Sequence, residues 1–222
     1  MESKQAMDLF GEALKAYSLG ERDKFYFKNE AGEMFEHNLK RYFRKTREMS
    51  KMEMSLINLS YGKILDVGCG TGNYIPLLNK RGKVLGIDIS SKVIAVAVAN
   101  GCKNCVVGDI FSISTRNKYD TITLFENNLG LGGSVRKTKE LLNKLSCLLK
   151  ENGQILAMTM RLPDKDYLDV ELKPVWKGKV GGKFGWIHFN INFLSGLCKE
   201  GGLNLQVLKG NRYCYLVRIK KS

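Results

Sequence analysis

The chain has 222 residues and a formal net charge of +14, with 36 Lys and Arg against 22 Asp and Glu. Its contents of hydrophobic residues (44%) and charged residues (26%) are ordinary for a globular protein, and its length suits one α/β domain with a full core. No apolar run approaches the roughly 20 residues that span a bilayer, so a membrane-spanning helix is excluded and we expect no membrane partner.

The cysteine content and the N-terminus predict a cytoplasmic protein. The N-terminus lacks the basic and then apolar pattern of a signal peptide. We therefore expect the six cysteines to be reduced thiols. Cys102 and Cys105 have the spacing of half a zinc knuckle, but no second close pair of Cys or His completes four ligands. We therefore predict free cysteines and no metal site.

The positive charge is concentrated in the later part of the chain. Residues 63–222 carry 25 Lys and Arg against 12 Asp and Glu, whereas residues 1–62 carry 11 against 10. Such a field attracts nucleic acid or another anion. We favour a solvated basic surface, because the sequence has no block of five basic residues and no arginine–glycine repeat. RNA remains the alternative partner.

Apolar residues at three- and four-residue spacing predict helices through most of the first segment. We interpret residues 1–60 as a helical N-terminal extension that forms a lid and not an independent domain. Residues 61–222 form the main domain. Aromatic residues of the extension, such as Tyr42 and Phe43, are candidates for a cover over a ligand.

From residue 61 onward, apolar strands alternate with helical segments, which is typical of a doubly wound parallel sheet. The predicted strands are residues 64–67, 84–90, 106–110, 119–125 and 154–160, and the predicted helices are residues 93–99, 134–150 and 190–199. Two last strands, 203–208 and 213–219, flank Gly210-Asn211 and predict an antiparallel hairpin. Residues 161–189 interrupt the alternation and predict a long functional loop.

The most informative stretch runs from Asp66 to Gly72. A buried strand leads directly into a turn in which Gly68, Gly70 and Gly72 let the backbone bend sharply and let a ligand approach. A helix is predicted from Asn73, with its free N–H groups facing the same crevice. The third glycine follows the second by only two places, so the dinucleotide pattern G-x-G-x-x-G does not fit.

This turn, followed in register by three strands that end in acidic or aromatic residues, resembles the first motifs of the class I S-adenosylmethionine-dependent methyltransferases. The resemblance covers residues 61–222 and is specific to the superfamily, not to a substrate. It implies a Rossmann-like, mostly parallel seven-stranded sheet closed by an antiparallel hairpin. It also implies S-adenosyl-L-methionine as the cofactor and methyl transfer as the activity.

By the same resemblance, residues at four strand ends would bind the cofactor. They are Asp66, Gly68, Cys69, Gly70, Thr71, Gly72, Asp88, Ile89, Asp109, Ile110 and Phe125. The glycine turn would hold the carboxylate of the cofactor and Asp66 its ammonium. Asp88 would accept both ribose hydroxyls; the alternative is a helix cap, which Ser90 can supply instead. Asp109 would meet the adenine, with an ordinary Gly-Asp turn as the alternative.

Glu126 and His188 are the candidate catalytic residues. Methyl transfer is an in-line displacement, so the protein mainly positions the acceptor and excludes water. A proton acceptor is needed only if the nucleophile keeps its proton until attack. For His188, between Ile187 and Phe189, a packed aromatic position is the alternative.

Absent motifs favour a small-molecule acceptor. Amino-methylating nucleic-acid enzymes usually carry Pro-Pro after the fourth strand, and cytosine-carbon methyltransferases usually carry Cys after Pro. This sequence has neither pattern. RNA methylation is the alternative activity, and a non-catalytic module that binds S-adenosylmethionine beside a partner enzyme is an alternative of another class.

Overall fold

The computed structural model of the protein describes residues 2–222, and the side chains of residues 6–222. The helices are α1 (Glu2–Ser18), α2 (Lys51–Leu59), α3 (Ile75–Leu78), α4 (Ser91–Ala99), α5 (Val135–Leu148) and α6 (Ile191–Glu200). The strands are β1 (Phe25–Asn29), β2 (Met34–Glu36), β3 (Gly62–Val67), β4 (Gly82–Asp88), β5 (Cys105–Val107), β6 (Tyr119–Leu124), β7 (Leu149–Met160), β8 (Tyr167–Trp176), β9 (Lys179–Val180), β10 (Phe184–Phe189), β11 (Leu203–Gly210) and β12 (Cys214–Lys221). Three 3₁₀ helices cover Leu39–Phe43, Thr46–Glu48 and Asn128–Gly132. None of the helices within residues 2–222 is long and apolar enough to cross a bilayer.

The larger sheet has seven strands in the order β11-β12-β7-β6-β3-β4-β5. The pairs from β7 to β5 are parallel, and β11 and β12 form an antiparallel hairpin on β7. The predicted Rossmann-like, mostly parallel seven-stranded sheet with a C-terminal hairpin is thereby confirmed. The carboxyl ends of β3, β4, β5 and β6 lie along one edge, where ligands bind in sheets of this type.

Helices cover both faces of this sheet, which explains its continuous apolar strands. Adjacent residues of β3 belong to opposite cores: Leu65 packs in the cluster that contains Leu145 of α5. Ile64 packs in the cluster that contains Leu56 of α2 and Ile94 of α4. Successive side chains of a strand alternate between its faces, so one short apolar run supplies both cores.

A second, antiparallel sheet has the order β10-β8-β1-β2, with β9 paired to β8. It corrects two expectations. The N-terminal extension is not wholly helical, because residues 25–36 form β1 and β2. The segment 161–189 is not a loop, because it contains β8, β9 and β10. The sheet depends on pairing β1 with β8, as in Phe27 opposite Pro174, and no local pattern encodes a contact between residues so distant along the chain.

Two element boundaries also differ from expectation. The helix predicted from Asn73 is the single turn α3, because the chain must return to β4 at Gly82. Helix α5 ends at Leu148, and β7 begins at once at Leu149, five residues before its predicted start.

The N-terminal helix is fastened to the start of α4. Ser90 caps α4 by accepting from the Val93 N–H (3.3 Å), and its hydroxyl lies 3.2 Å from the Met7 carbonyl oxygen of α1. Gly11 lets the two helices approach, because a Cβ at this position would lie 2.6 Å from the Lys92 Cβ and 2.8 Å from the Val93 nitrogen.

This close approach predicts opposite effects for two glycine-to-alanine substitutions in helices. Gly11→Ala should lower the free energy of unfolding by about 1–3 kcal/mol, since the added methyl group meets backbone atoms that cannot yield cheaply. Gly196→Ala in α6, where nothing lies within 4 Å of the added Cβ, should raise it by up to about 1 kcal/mol through helix propensity. Urea unfolding of both variants checks this, and equal effects would contradict the packing of α1 on α4.

Candidate cofactor and acceptor site

The glycine turn after β3 is held mainly by hydrogen bonds to the end of β4. Gly68, Gly70 and Gly72 have φ of 71°, 56° and 75°, in the left-handed region that favours glycine. The N–H groups of Gly68 and Cys69 both donate to the Ile87 carbonyl oxygen, at 2.9 and 3.0 Å. The Gly70 N–H donates to Asp88 (3.1 Å) and the Gly72 N–H to the Cys69 carbonyl oxygen (3.0 Å).

The glycine turn consequently offers fewer free N–H groups to a ligand than predicted. Of the five N–H groups from Gly68 to Gly72, four already have acceptors within the protein. Only the N–H of Thr71 has no partner in the described part of the chain. The turn is therefore a rigid platform with one free donor, and not an open nest of five.

Asp66 lies at the carboxyl end of β3 and is 1% exposed. Its Oδ1 accepts from the Thr123 hydroxyl of β6 (2.7 Å), and its Oδ2 is buried without a hydrogen-bond partner among the described residues. Burial raises the pKa of Asp66 to about 7; the Thr123 hydroxyl opposes this shift, and the nearby Asp88 carboxylate adds to it. An unpaired oxygen in this position calls for a proton or a cationic ligand.

Asp88 lies at the end of β4 and joins two elements. Its Oδ2 accepts from the Gly70 N–H and its Oδ1 from the Ser90 N–H, each at 3.1 Å. Burial raises its pKa, and these backbone donors oppose the shift. The helix-cap alternative is filled by Ser90, so the Asp88 carboxylate is not needed as the cap and keeps capacity to accept from another donor.

The other predicted cofactor residues differ in what their side chains offer. Asp109 accepts from the Phe111 N–H (2.9 Å), so its carboxylate closes a local turn, as the alternative proposed. Ile110 is 6% exposed in the core, whereas Ile89 is partly exposed beside Asp88. Phe125 is 2% exposed, and its ring stacks on Tyr74 with centroids 3.7 Å apart. Its side chain therefore belongs to the core, which leaves its backbone for ligand contact.

The 3₁₀ helix at residues 39–43 covers the glycine turn. The sequence predicted a cover from this part of the chain, with Tyr42 and Phe43 as candidates, but not what it contacts. A Cβ at Gly70 would lie 3.4 Å from the Tyr42 ring, and the Thr71 hydroxyl donates to the Tyr42 carbonyl oxygen. The Tyr42 hydroxyl lies 3.0 Å from His37 Nε2. Burial lowers the pKa of His37 to about 4, so this ring is neutral near pH 7. The cover is aromatic and uncharged where it meets the turn.

Glu126 follows β6 and has a left-handed backbone, with φ of 55°. Its Oε2 accepts from Arg41, which belongs to the cover, and its Oε1 accepts from Arg44 (3.2 Å) and lies 3.1 Å from the Tyr74 hydroxyl oxygen. Both carboxylate oxygens are therefore engaged. A non-glycine residue in this conformation is uncommon and is often found at functional sites.

A second carboxylate completes this ion-pair network. Glu53 of α2 is 2% exposed and accepts from Arg44 and from the Tyr74 hydroxyl (2.6 Å). Burial opposes ionisation of Glu53, but the hydrogen bonds from Tyr74 and Ser50 keep its pKa below the usual value. The network links α2, the cover and the end of β6.

His188 lies on β10 and reaches the same edge of the large sheet. Its Nδ1 lies 3.0 Å from Asn127 Nδ2, in the turn after β6. Burial lowers the pKa of His188. The structure therefore brings both predicted catalytic residues, Glu126 and His188, to the turn that follows β6.

Asn128 in the same turn was not among the predicted site residues. Its Nδ2 donates to the carbonyl oxygens of Val67 (2.9 Å) and Gly68 (3.1 Å), so it secures the start of the glycine turn. The run Glu126-Asn127-Asn128 at a strand end was the available signal, since three polar residues there exceed what a plain connection needs.

Cys102 and Cys105 lie against the other side of the turn. The expectation of free thiols is wrong for this pair, because the structure joins them in a disulfide, with Cα atoms 5.9 Å apart. A Cβ at Gly72 would lie 2.8 Å from Cys102 Sγ, so the pair packs directly on the last glycine. The loop after α4 brings the two sulfurs together there. The remaining cysteines are free: Cys69, Cys147, Cys198 and Cys214.

A groove of about 560 Å³ opens between the cover and α3. It is lined in part by Tyr42, Arg44, Thr71 and Lys80. It shares the glycine turn with the strand-end carboxylates but lies on the side of the turn that faces Cys102. The functional chemistry described above belongs to the carboxylate side.

Comparison with known proteins agrees with this geometry. A family model described as a methyltransferase domain matches residues 59–184, more than half of the chain. A protein of Geobacillus sp. (strain WCH70) with a methyltransferase name is 31% identical over 100 residues, which are 42% of this chain and 40% of that relative. A ubiquinone biosynthesis O-methyltransferase of Leptothrix cholodnii is 24% identical over 79% of this chain and 80% of its own. The chain thus spans less than half of the first relative and most of the second.

Solved structures share the fold. An S-adenosylmethionine-dependent methyltransferase from Bacteroides fragilis, crystallised with S-adenosyl-L-homocysteine, superposes with a TM-score of 0.88 over 98% of this chain and 96% of its own, at 24% identity. The sugar N-methyltransferase KedS8 from Streptoalloteichus superposes with a TM-score of 0.61 over 86% of this chain and 96% of its own, at 12% identity. This chain therefore belongs to the methyltransferase domain family, within the class I S-adenosylmethionine-dependent methyltransferases.

Proposed function

We propose that the protein transfers a methyl group from S-adenosyl-L-methionine to a small-molecule acceptor. The observation that carries the proposal is the pair of carboxylates at the ends of β3 and β4. Asp66 and Asp88 lie side by side with raised pKa values, and neither forms an ion pair with Lys or Arg in the described part of the chain. A cationic ligand with hydroxyl groups satisfies both.

The free groups at this edge fit the cofactor one by one. The unpaired Oδ2 of Asp66 suits the ammonium, and the remaining lone pairs of Asp88 suit the ribose hydroxyls. The Thr71 N–H, the one unpaired donor of the turn, suits the carboxylate. When bound, the cofactor supplies a methyl group on a positively charged sulfur, which is already a good leaving group. The chain then has to orient an acceptor and exclude water.

The walls around the site favour a small acceptor. The Tyr42 ring covers Gly70, and Trp186 of the second sheet packs so closely on Gly130 that a Cβ there would lie 2.5 Å from the indole nitrogen. These rings shield the strand ends, which favours a small acceptor over a folded nucleic acid. The names of several relatives and structural neighbours, among them the quinone-pathway and sugar methyltransferases, refer to small-molecule acceptors.

Glu126 and His188 are our candidates for contact with the acceptor. Glu126 has both oxygens engaged by Arg41, Arg44 and Tyr74, so it would accept a proton only if half-exposed Arg41 moved aside. Its more direct role is to hold the cover against the end of β6. His188 is free of ion pairs in the described part of the chain and is the better placed of the two for a polar contact.

Removing the Asp88 carboxylate should abolish cofactor binding. Asp88→Ala should weaken the affinity for S-adenosyl-L-homocysteine by about 100-fold or more, because two charge-assisted hydrogen bonds to the ribose are lost. Glu151→Ala, which removes an exposed carboxylate at the opposite edge of the sheet, should leave the affinity unchanged. Calorimetric titration measures both. Unchanged binding by a folded Asp88→Ala protein would refute the assigned cofactor site.

Cofactor affinity should depend on pH through Asp66. The folded pKa of about 7 lies above the unfolded value, so the neutral form stabilises the free protein and this contribution falls as pH rises from about 4 to 7. An ammonium beside Asp66 favours the ionised form, so the affinity for S-adenosyl-L-homocysteine should rise about tenfold between pH 6 and pH 8. Asp66→Asn should bind more weakly and lose this dependence. A flat profile for the unsubstituted protein would contradict the contact.

The acceptor class is testable with radiolabelled S-adenosyl-L-methionine and a cell extract divided by ultrafiltration. We expect label in the small-molecule filtrate, and none with Asp88→Ala. Nuclease-sensitive label in the retained fraction, with salt-sensitive binding to bulk tRNA, would instead support RNA methylation, which the net charge of +14 favours. Cofactor binding without transfer to any fraction would support a non-catalytic module.

A further inference from the structure

The side-chain amide of Asn127 makes three contacts that determine its orientation. Its Oδ1 accepts from the Met160 N–H at the end of β7 (3.1 Å). Its Nδ2 donates to the Ile187 carbonyl oxygen of β10 (3.4 Å) and lies 3.0 Å from Nδ1 of His188. A backbone N–H can only donate and a backbone carbonyl can only accept. In the reversed orientation, the amide NH₂ group would face the Met160 N–H and the amide oxygen would face the Ile187 carbonyl oxygen. Only the observed orientation is therefore compatible with both backbone groups.

We infer that Asn127 is a positioning residue that holds His188 as the tautomer with its proton on Nε2, so that this ring is a hydrogen-bond donor to the methyl acceptor. Since Nδ2 of Asn127 donates, Nδ1 of His188 must accept and carries no proton. A neutral imidazole then has its one proton on Nε2. The tautomer is thus determined by two backbone groups through a single amide.

The ring stands on the side of β10 that faces the cover. Ile187 and Phe189 are buried in the core of the large sheet, so the alternation of a strand puts Phe184, Trp186 and His188 on the other side. On that side the Phe184 ring packs on Phe27, with centroids 5.5 Å apart. Phe27 in turn packs on His37 of the cover, at 5.0 Å. His188 therefore lies on the same side of β10 as Phe184 and Trp186, beside the turn after β6.

This inference rests on the proposed function for its consequence about the acceptor. A donor at Nε2 pairs with an oxygen that has a free lone pair, such as a carboxylate, carbonyl or hydroxyl oxygen. It does not remove a proton from a nucleophile, because Nε2 has no free lone pair and Nδ1 is occupied by Asn127. We therefore assign to the acceptor an oxygen with a free lone pair near the atom that is methylated, with His188 as its specificity contact.

Proton positions are measurable directly, because the chain has only two histidines. Long-range ¹H–¹⁵N spectra of ¹⁵N-labelled protein, with His188→Gln to identify the signals, should report an unprotonated Nδ1 and a protonated Nε2 for His188. In Asn127→Asp, a carboxylate at this position should accept from Nδ1, and the two nitrogen shifts should exchange. The His37 signals serve as the internal control and should stay unchanged.

The unsubstituted protein alone can overturn the inference, so it does not depend on whether the variant folds. A proton on Nδ1, or a doubly protonated ring at pH 7, would refute the tautomer. For the acceptor class the probes are acetate and methylammonium, each titrated into protein saturated with S-adenosyl-L-homocysteine. Acetate should shift the Nε2–H signal and methylammonium should not; the reverse response, or none to acetate, would refute the assigned oxygen. Failure of the protein to bind S-adenosyl-L-homocysteine would refute the proposed function and leave the tautomer result standing.

Discussion

The carboxylate of Asp88 is the group on which the ligand-binding edge depends. One oxygen holds the Gly70 N–H of the turn after β3, and the other holds the Ser90 N–H at the start of α4. Ser90 also caps α4 and contacts the Met7 carbonyl oxygen of α1. Two strand ends, a helix start and the N-terminal helix are therefore joined within a few ångströms. Burial of an ionised carboxylate opposes folding, and only its backbone donors offset that cost in the free protein.

The neighbouring Asp66 makes the electrostatic conflict stronger. The buried Asp66 carboxylate and the half-buried Asp88 carboxylate repel each other at one sheet edge, in a chain whose overall charge is +14. No Lys or Arg among the described residues is paired with either acid. Arg41 of the cover and Arg44 directly after it pair with Glu126 and Glu53 instead. The cations are thus kept on the Glu126 side of the turn. This separation leaves both acids without a cationic partner among the described residues, which supports the proposed binding of a cationic ligand at this edge.

The large sheet could be predicted from the sequence because strands covered by helices on both faces appear as continuous apolar runs, such as Ile64 and Leu65. The carboxylates Asp66 and Asp88 were identifiable because they end such runs. The second sheet was not predictable, since β1 and β8 pair across a long separation and each alone resembles a helix or a loop. Asp109 and Phe125 were predicted to bind the cofactor because each follows an apolar strand in the sequence. In the structure, Asp109 accepts from the Phe111 N–H and the Phe125 ring stacks on Tyr74. The Asp109 side chain closes a local turn, the alternative that the sequence already offered, and only the tertiary contact with Tyr74 reveals that the Phe125 ring belongs to the core.

The turn after β6 connects the two halves of the site. Its left-handed residue, Glu126, turns the backbone so that three consecutive side chains reach different elements. Glu126 binds Arg41 of the cover, Asn127 binds Met160 and His188, and Asn128 binds the carbonyl oxygens that begin the glycine turn. A shift of this turn would therefore move the cover, the acceptor contact and the cofactor platform together. All three attachments share one short backbone segment, so we expect occupation of the proposed cofactor side to affect the geometry offered to the acceptor.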